Sequence, residues 1–188
     1  MKTFNIVIAG AGGQGLITLT NIISNAALAE GYDVKTSELH GLSQRGGSVE
    51  TYVRFGKKVY SPLISLTKAD LIIGLEATEA LRNIAYANKD TILITNKYFF
   101  PYLGGPSKEE VVKKIDAFFP GKKHIIPASE VCEKKLNNNV VSGVYLLGWA
   151  VSKGIIPLKE ESIIKSISEI IPEKYRDLNI KAFKLARL

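Results

Sequence analysis

The sequence predicts a Rossmann-like, doubly wound α/β fold: a mostly parallel sheet with an inserted β-hairpin and a helical C-terminal region. Short apolar runs alternate with helix-length segments along the N-terminal part of the chain. The runs around Leu71-Ile72-Ile73 and Ile92-Leu93-Ile94 carry no polar alternation, which is the pattern of parallel strands covered on both faces. The first run passes through Gly10-Ala11-Gly12-Gly13-Gln14-Gly15 straight into a helix-like segment, the strand–turn–helix unit of such sheets.

In chain order, strands are expected at residues 4–9, 34–38, 71–75, 91–95 and 124–127, and helices at residues 16–30, 78–87 and 107–118. Residues 49–55 alternate between outward and inward types, and Gly56-Lys57 offers a turn into residues 58–60, so this stretch is expected to be the hairpin. From Asn137 onward the chain reads as helical. Residues 140–153 are very apolar, with Tyr145, Leu146, Leu147 and Trp149 set among Ser142, Gly143, Gly148 and Ala150, as suits a helix buried on most sides. Residues 162–171 place Ile163, Ile164, Ile167, Ile170 and Ile171 on one stripe, and Pro172 stops that helix. A last amphipathic helix is expected over residues 173–188. No repeat, low-complexity tract or linker interrupts the chain, so residues 1–188 are expected to form a single domain.

Composition narrows the function classes. The chain has 188 residues, 46% hydrophobic and 23% charged, enough for a substantial core. No apolar run approaches the roughly 20 residues that cross a bilayer, and the chain enters a strand at once without a signal-peptide pattern; a cytoplasmic protein without a membrane partner is expected. The net charge of +7 is accompanied by short lysine pairs spread along the sequence, without the basic and aromatic interleaving of a nucleic-acid module, so no nucleic-acid partner is expected. The one cysteine, Cys132, cannot supply the roughly four thiolates of an iron–sulfur cluster. His40, His124 and Cys132 stand at no metal-site spacing, and no metal is expected.

Two glycine-rich loops carry the chemistry. In the first, Gly10, Gly12 and Gly15 have the GxGxxG spacing. Backbone N–H groups of Gly12, Gly13, Gln14 and Gly15 at a helix N-terminus suit a phosphate, while the same glycines also serve a tight turn with close helix packing. If the loop binds a dinucleotide, Glu38 at the end of the next strand is the acidic residue for the ribose. The second loop, His40-Gly41-Leu42-Ser43-Gln44-Arg45-Gly46-Gly47, follows that strand. Arg45 offers a planar fork for a carboxylate or phosphate or a brace to Glu38. Ser43 and Gln44 add neutral hydrogen-bonding groups, and Gly46 and Gly47 permit close approach of a ligand or another chain. No carboxylate is set up to orient His40 as a catalytic base, so no catalytic residue is assigned.

The two loops in this order, with the continuation Ser48-Val49 and the later Ser61-Pro62-Leu63-Ile64 and Lys68-Ala69-Asp70, resemble the gamma-type domain of the 2-oxoacid:ferredoxin oxidoreductases, most closely in its indolepyruvate-oxidising branch. The resemblance covers nearly the whole chain. It implies a subunit, inactive alone, of a complex that oxidatively decarboxylates arylpyruvates, forms acyl-coenzyme A and reduces ferredoxin. It further implies that thiamine diphosphate and the iron–sulfur clusters reside in a larger alpha subunit, and that Gly12 to Gly15 and the loop from His40 to Gly47 lie where that subunit and the coenzyme A path meet. The readings from other classes are a stand-alone Rossmann-type nucleotide-binding oxidoreductase and a structural or regulatory docking module.

Overall fold

The computed structural model describes residues 2–40, 47–101 and 104–187. Its centre is a six-stranded sheet built from β1 (Phe4–Ala11), β2 (Asp33–His40), β3 (Ser48–Gly56), β4 (Leu71–Gly74), β5 (Ile92–Asn96) and β6 (Lys122–Ile126), in the order β2-β3-β1-β4-β5-β6. Strands β1, β4, β5 and β6 run parallel; β3 is antiparallel to both β1 and β2. The helices are α1 (Leu16–Ala29), α2 (Ala77–Arg82), α3 (Lys108–Phe118), α4 (Ala128–Leu136), α5 (Ser142–Ser152), α6 (Glu160–Ile170) and α7 (Glu173–Leu185), with one 3₁₀ turn at Ile84–Tyr86.

The strand pleat sorts the core into two layers. Ile6 and Ile8 of β1, Leu71 and Ile73 of β4 and Ile94 of β5 face α1, α5, α6 and α7, whereas Val7, Ile72 and Leu93 face α2 and α3. All eight are wholly buried, and each such side chain contributes about 1.5–3 kcal/mol relative to exposure. Helix α1 fits its layer because Leu16, Leu19, Ile22, Ile23, Ala26 and Ala27 recur at helical spacing and are buried. Three hydroxyls on this interface satisfy each other or the backbone: those of Thr20 and Thr51 lie 2.7 Å apart, and Ser166 of α6 donates to the Ile22 carbonyl at 2.7 Å. Helix α5 is buried along most of its surface, as its composition predicts.

The antiparallel element expected after the second loop exists, but with a different partner. Strand β3 pairs with β2 and β1, not with residues 58–60, which form no strand. Gly56 is required for close approach, since a Cβ there would come within 2.9 Å of the Thr3 Cα. The chain beyond it is held as a strap. Asp33 Oδ2 accepts the Val59 N–H at 2.8 Å, and the Arg54 guanidinium donates to the carbonyls of Ser61 and Leu63, both at 2.7 Å, and to Asn5 Oδ1 at 2.8 Å. Asn5 donates its N–H to Asp70 and its amide to the Lys68 carbonyl. The Ser61-Pro62-Leu63 and Lys68-Ala69-Asp70 motifs thus close the edge of the sheet where β1 begins.

Arg54→Met keeps the apolar stem and removes the guanidinium, so it should lower stability by about 1.5–3 kcal/mol and expose residues 57–66 to proteolysis. Urea unfolding and limited digestion measure both. A variant as stable and as resistant as the parent would mean that the strap does not depend on Arg54.

Candidate functional site

Because β1, β4 and β5 are parallel, their C-terminal ends lie on one edge, where ligands of open α/β sheets bind. Strand β2 ends on the same edge at His40, and β3 starts there at Ser48, opposite Ala11. The topology therefore brings both ends of the second glycine loop, His40 and Gly47, to the edge that carries the first. A direct bond joins the two loops: the Gly12 N–H donates to the Gly47 carbonyl at 2.9 Å. Ser43, Gln44, Arg45 and Gly46 lie outside the described residues.

In the first loop, Gly13 and Gly15 have φ of +95° and +80°, the left-handed region that favours glycine. Gln14 braces the turn from inside, its Oε1 accepting the Ala11 N–H at 2.8 Å. Gly10 leaves room for that side chain, because a Cβ there would come within 2.7 Å of Gln14 Oε1 and 3.1 Å of Leu75 Cβ. No side chain caps α1 and no acidic residue sits in its first turn, so its N-terminal amides and the positive end of its dipole face the edge. Among the five residues predicted for cofactor contact, Gly13 and Gly15 are exposed with Gly12, Gln14 is half-buried, and Gly10 is buried beneath them.

Glu38 is placed differently from a ribose-binding acid. It lies on β2 opposite Thr51, and β3 intervenes between β2 and β1. Two strand spacings, about 10 Å, separate β2 from the glycine loop strand, whereas the dinucleotide arrangement needs the acidic strand next to β1. The stand-alone nucleotide reading loses its geometry here.

Several residues at this edge were not singled out in the sequence. Glu76 caps α2 and is 1% exposed. Its carboxylate accepts the Glu79 N–H at 2.7 Å, the Phe100 N–H at 3.0 Å and the Thr78 hydroxyl at 3.0 Å. Asn96, at the end of β5, donates to Ser129 Oγ at 2.7 Å and accepts the Ser129 N–H at 3.2 Å. Both follow directly from apolar parallel strands, and that position was the available signal. A cavity of about 160 Å³ is lined by Gly13, Gln14, Asn96, Tyr98, Ser129 and Asn139. A larger apolar one of about 540 Å³ opens between α1, α5 and α7, with Thr18, Val144, Tyr175 and Leu178 in its wall. Gln14 and the exposed Val140 border both. Among the described residues, no group of three or more His, Cys, Asp or Glu is arranged to hold a metal ion, and no helix is long and apolar enough to cross a membrane.

Residues 5–188 match the pyruvate ferredoxin/flavodoxin oxidoreductase family. The chain belongs to it. It is 39% identical to the indolepyruvate oxidoreductase subunit IorB of Thermococcus kodakarensis, over 98% of this chain and 95% of that subunit. The pyruvate/ketoisovalerate oxidoreductases common subunit gamma of Pyrococcus abyssi is 27% identical, over 94% and 91%. The fold matches the pyruvate oxidoreductase subunit PORC of Thermotoga maritima with a TM-score of 0.75 at 23% identity, covering 100% and 96% of the two chains. It also matches the 2-oxoglutarate:ferredoxin oxidoreductase of Magnetococcus marinus, solved with 2-oxoglutarate, coenzyme A and succinyl-CoA, with a TM-score of 0.76 at 18% identity, covering all of this chain but 31% of that one. Similarity along the full length of curated subunits makes this family member a subunit of an oxidoreductase complex.

Cys132 of α4 is wholly buried with Val141 and Ala182. Desolvation pushes its thiol up from 9.0 to about 11. Its contribution to stability is complete below pH 9 and is lost as the pH rises towards 11, because the unfolded thiol ionises first. At pH 8 the thiol therefore stays protonated, and the site is closed as well. Alkylation at pH 8 should therefore be undetectable in the folded chain and stoichiometric in urea, as mass spectrometry can read.

Proposed function

We propose that this chain is the gamma-type subunit of a cytoplasmic 2-oxoacid:ferredoxin oxidoreductase acting on arylpyruvates such as indolepyruvate. The observation that carries the substrate class is the difference in likeness: 39% identity to an indolepyruvate oxidoreductase subunit against 27% to a subunit of pyruvate and ketoisovalerate enzymes, both over nearly the full chain. The lone buried cysteine does not fit an iron–sulfur cluster. Thiamine diphosphate and the clusters belong to a larger alpha subunit, where together they supply decarboxylation and electron transfer to ferredoxin.

What this chain contributes is a surface at the C-terminal edge of its sheet. The amides around Gly13, Gly15 and the first turn of α1 suit a phosphate of coenzyme A, and the loop from His40 to Gly47, with Arg45 as its forked donor, meets the coenzyme or the alpha subunit. Coenzyme A is thereby a ligand shared between the subunits. The match to about a third of a longer chain, in an enzyme solved with coenzyme A bound, supports this reading, since the same fold occurs there within a larger enzyme.

Reconstitution tests it. The isolated chain should show no indolepyruvate-dependent dye reduction, and adding the alpha subunit should restore coenzyme A-dependent turnover with ferredoxin. In that complex Arg45→Ala should cost about one to two decades of activity while leaving the melting temperature of the isolated subunit unchanged. Turnover by the chain alone, or full activity of the variant complex, would contradict the reading.

A further inference from the structure

We propose that Glu79 is a positioning residue for the ligand edge: its carboxylate, through Ser48, fixes where the chain re-enters the sheet beside the first glycine loop. Glu79 is 8% exposed, and a carboxylate so little hydrated is costly unless it is paired. Its own helix gives it a partial partner, Arg82 at 3.4 Å, whose side chain is half exposed. The N-terminus of that helix is already capped by Glu76, so capping is not what the Glu79 carboxylate does. Beyond α2, its partner among the described residues is Ser48, whose hydroxyl donates to Oε2 at 2.5 Å.

Ser48 occupies a decisive place. It is the first residue of β3, it sits opposite the last residue of β1, Ala11, and it follows the residue whose carbonyl takes the Gly12 N–H. Ladder bonds alone weakly resist fraying at the end of a strand pair. The Ser48–Glu79 bond ties this end to α2, and the Gly12–Gly47 bond then carries the constraint into the glycine loop. A group from the helix that follows β4 thus sets where Gly47 sits against the first glycine loop, at the edge that the proposed coenzyme A surface uses, and in this the inference rests on that reading.

The experiment has two arms. In the isolated subunit, Glu79→Ala and Ser48→Ala should each speed hydrogen exchange of the Gly12 amide about tenfold or more, with the amides of Ile22 and Ile23 in α1 unchanged. Ser48→Thr, which keeps the hydroxyl, should restore protection, and Glu79→Gln, which keeps an acceptor, should fall between. In the complex with the alpha subunit, the two alanine variants should raise KM for coenzyme A about tenfold with kcat changed less than about twofold, and Ser48→Thr should restore it. Unchanged exchange at Gly12 overturns the role of Glu79 whatever the complex does, and leaves the coenzyme A reading untouched. Faster exchange with unaltered KM upholds the positioning of the glycine loop by Glu79 and overturns the assignment of this edge to coenzyme A.

Discussion

An antiparallel strand inserted between β1 and β2 constrains everything at the C-terminal edge of the sheet. Strand β3 must begin where β1 ends, so the chain returns to the edge within hydrogen-bonding reach of the first glycine loop, and Gly47 meets Gly12. The same insertion moves β2 a strand further out. It removes the adjacent acidic strand that a dinucleotide would need, and leaves a strand–turn–helix whose amides face an edge shared by two loops. One change in strand order thus removes the dinucleotide plan while keeping an uncapped helix N-terminus at the edge.

The two faces of the sheet divide the work. Helices α1, α5, α6 and α7 bury one face in a continuous apolar layer, which holds the α1 N-terminus rigid without any side-chain cap. On the other face, α2 is short and carries two acidic residues, Glu76 and Glu79, that turn inward to accept N–H and hydroxyl donors at the edge. Burying carboxylates costs free energy unless donors surround them. Here the donors come from the first turn of α2, from the chain after β5 and from the start of β3, so the edge is fixed by polar bonds while the body is fixed by packing.

Much of this was legible in the sequence. Strands β1, β4 and β5 follow from unbroken apolar runs, and α1, α5 and α6 from apolar residues at helical spacing, because both patterns record burial directly. The pairing of β3 was not legible: alternation in residues 49–55 announces a strand but not its neighbour, and Gly56 reads as a turn residue although its lack of a Cβ serves contact with Thr3. Helix α4 has little apolar content, with Ala128 and Cys132 as its buried residues, and leaves a faint periodic trace. At the site, glycine spacing revealed the first loop. Glu76, Glu79, Asn96 and Ser129 escaped notice because their meaning arises only when β4 and β5 end beside one another.

The central claim, that the edge carrying Gly12 to Gly15 and Gly47 faces a coenzyme A site shared with a larger subunit, is tested most directly by a cryo-electron-microscopy structure of the assembled complex with coenzyme A bound. The account predicts the coenzyme at the subunit junction, with a phosphate within hydrogen-bonding distance of the amides around Gly13 and Gly15. A complex in which that edge faces solvent and the coenzyme lies wholly against other surfaces would contradict it.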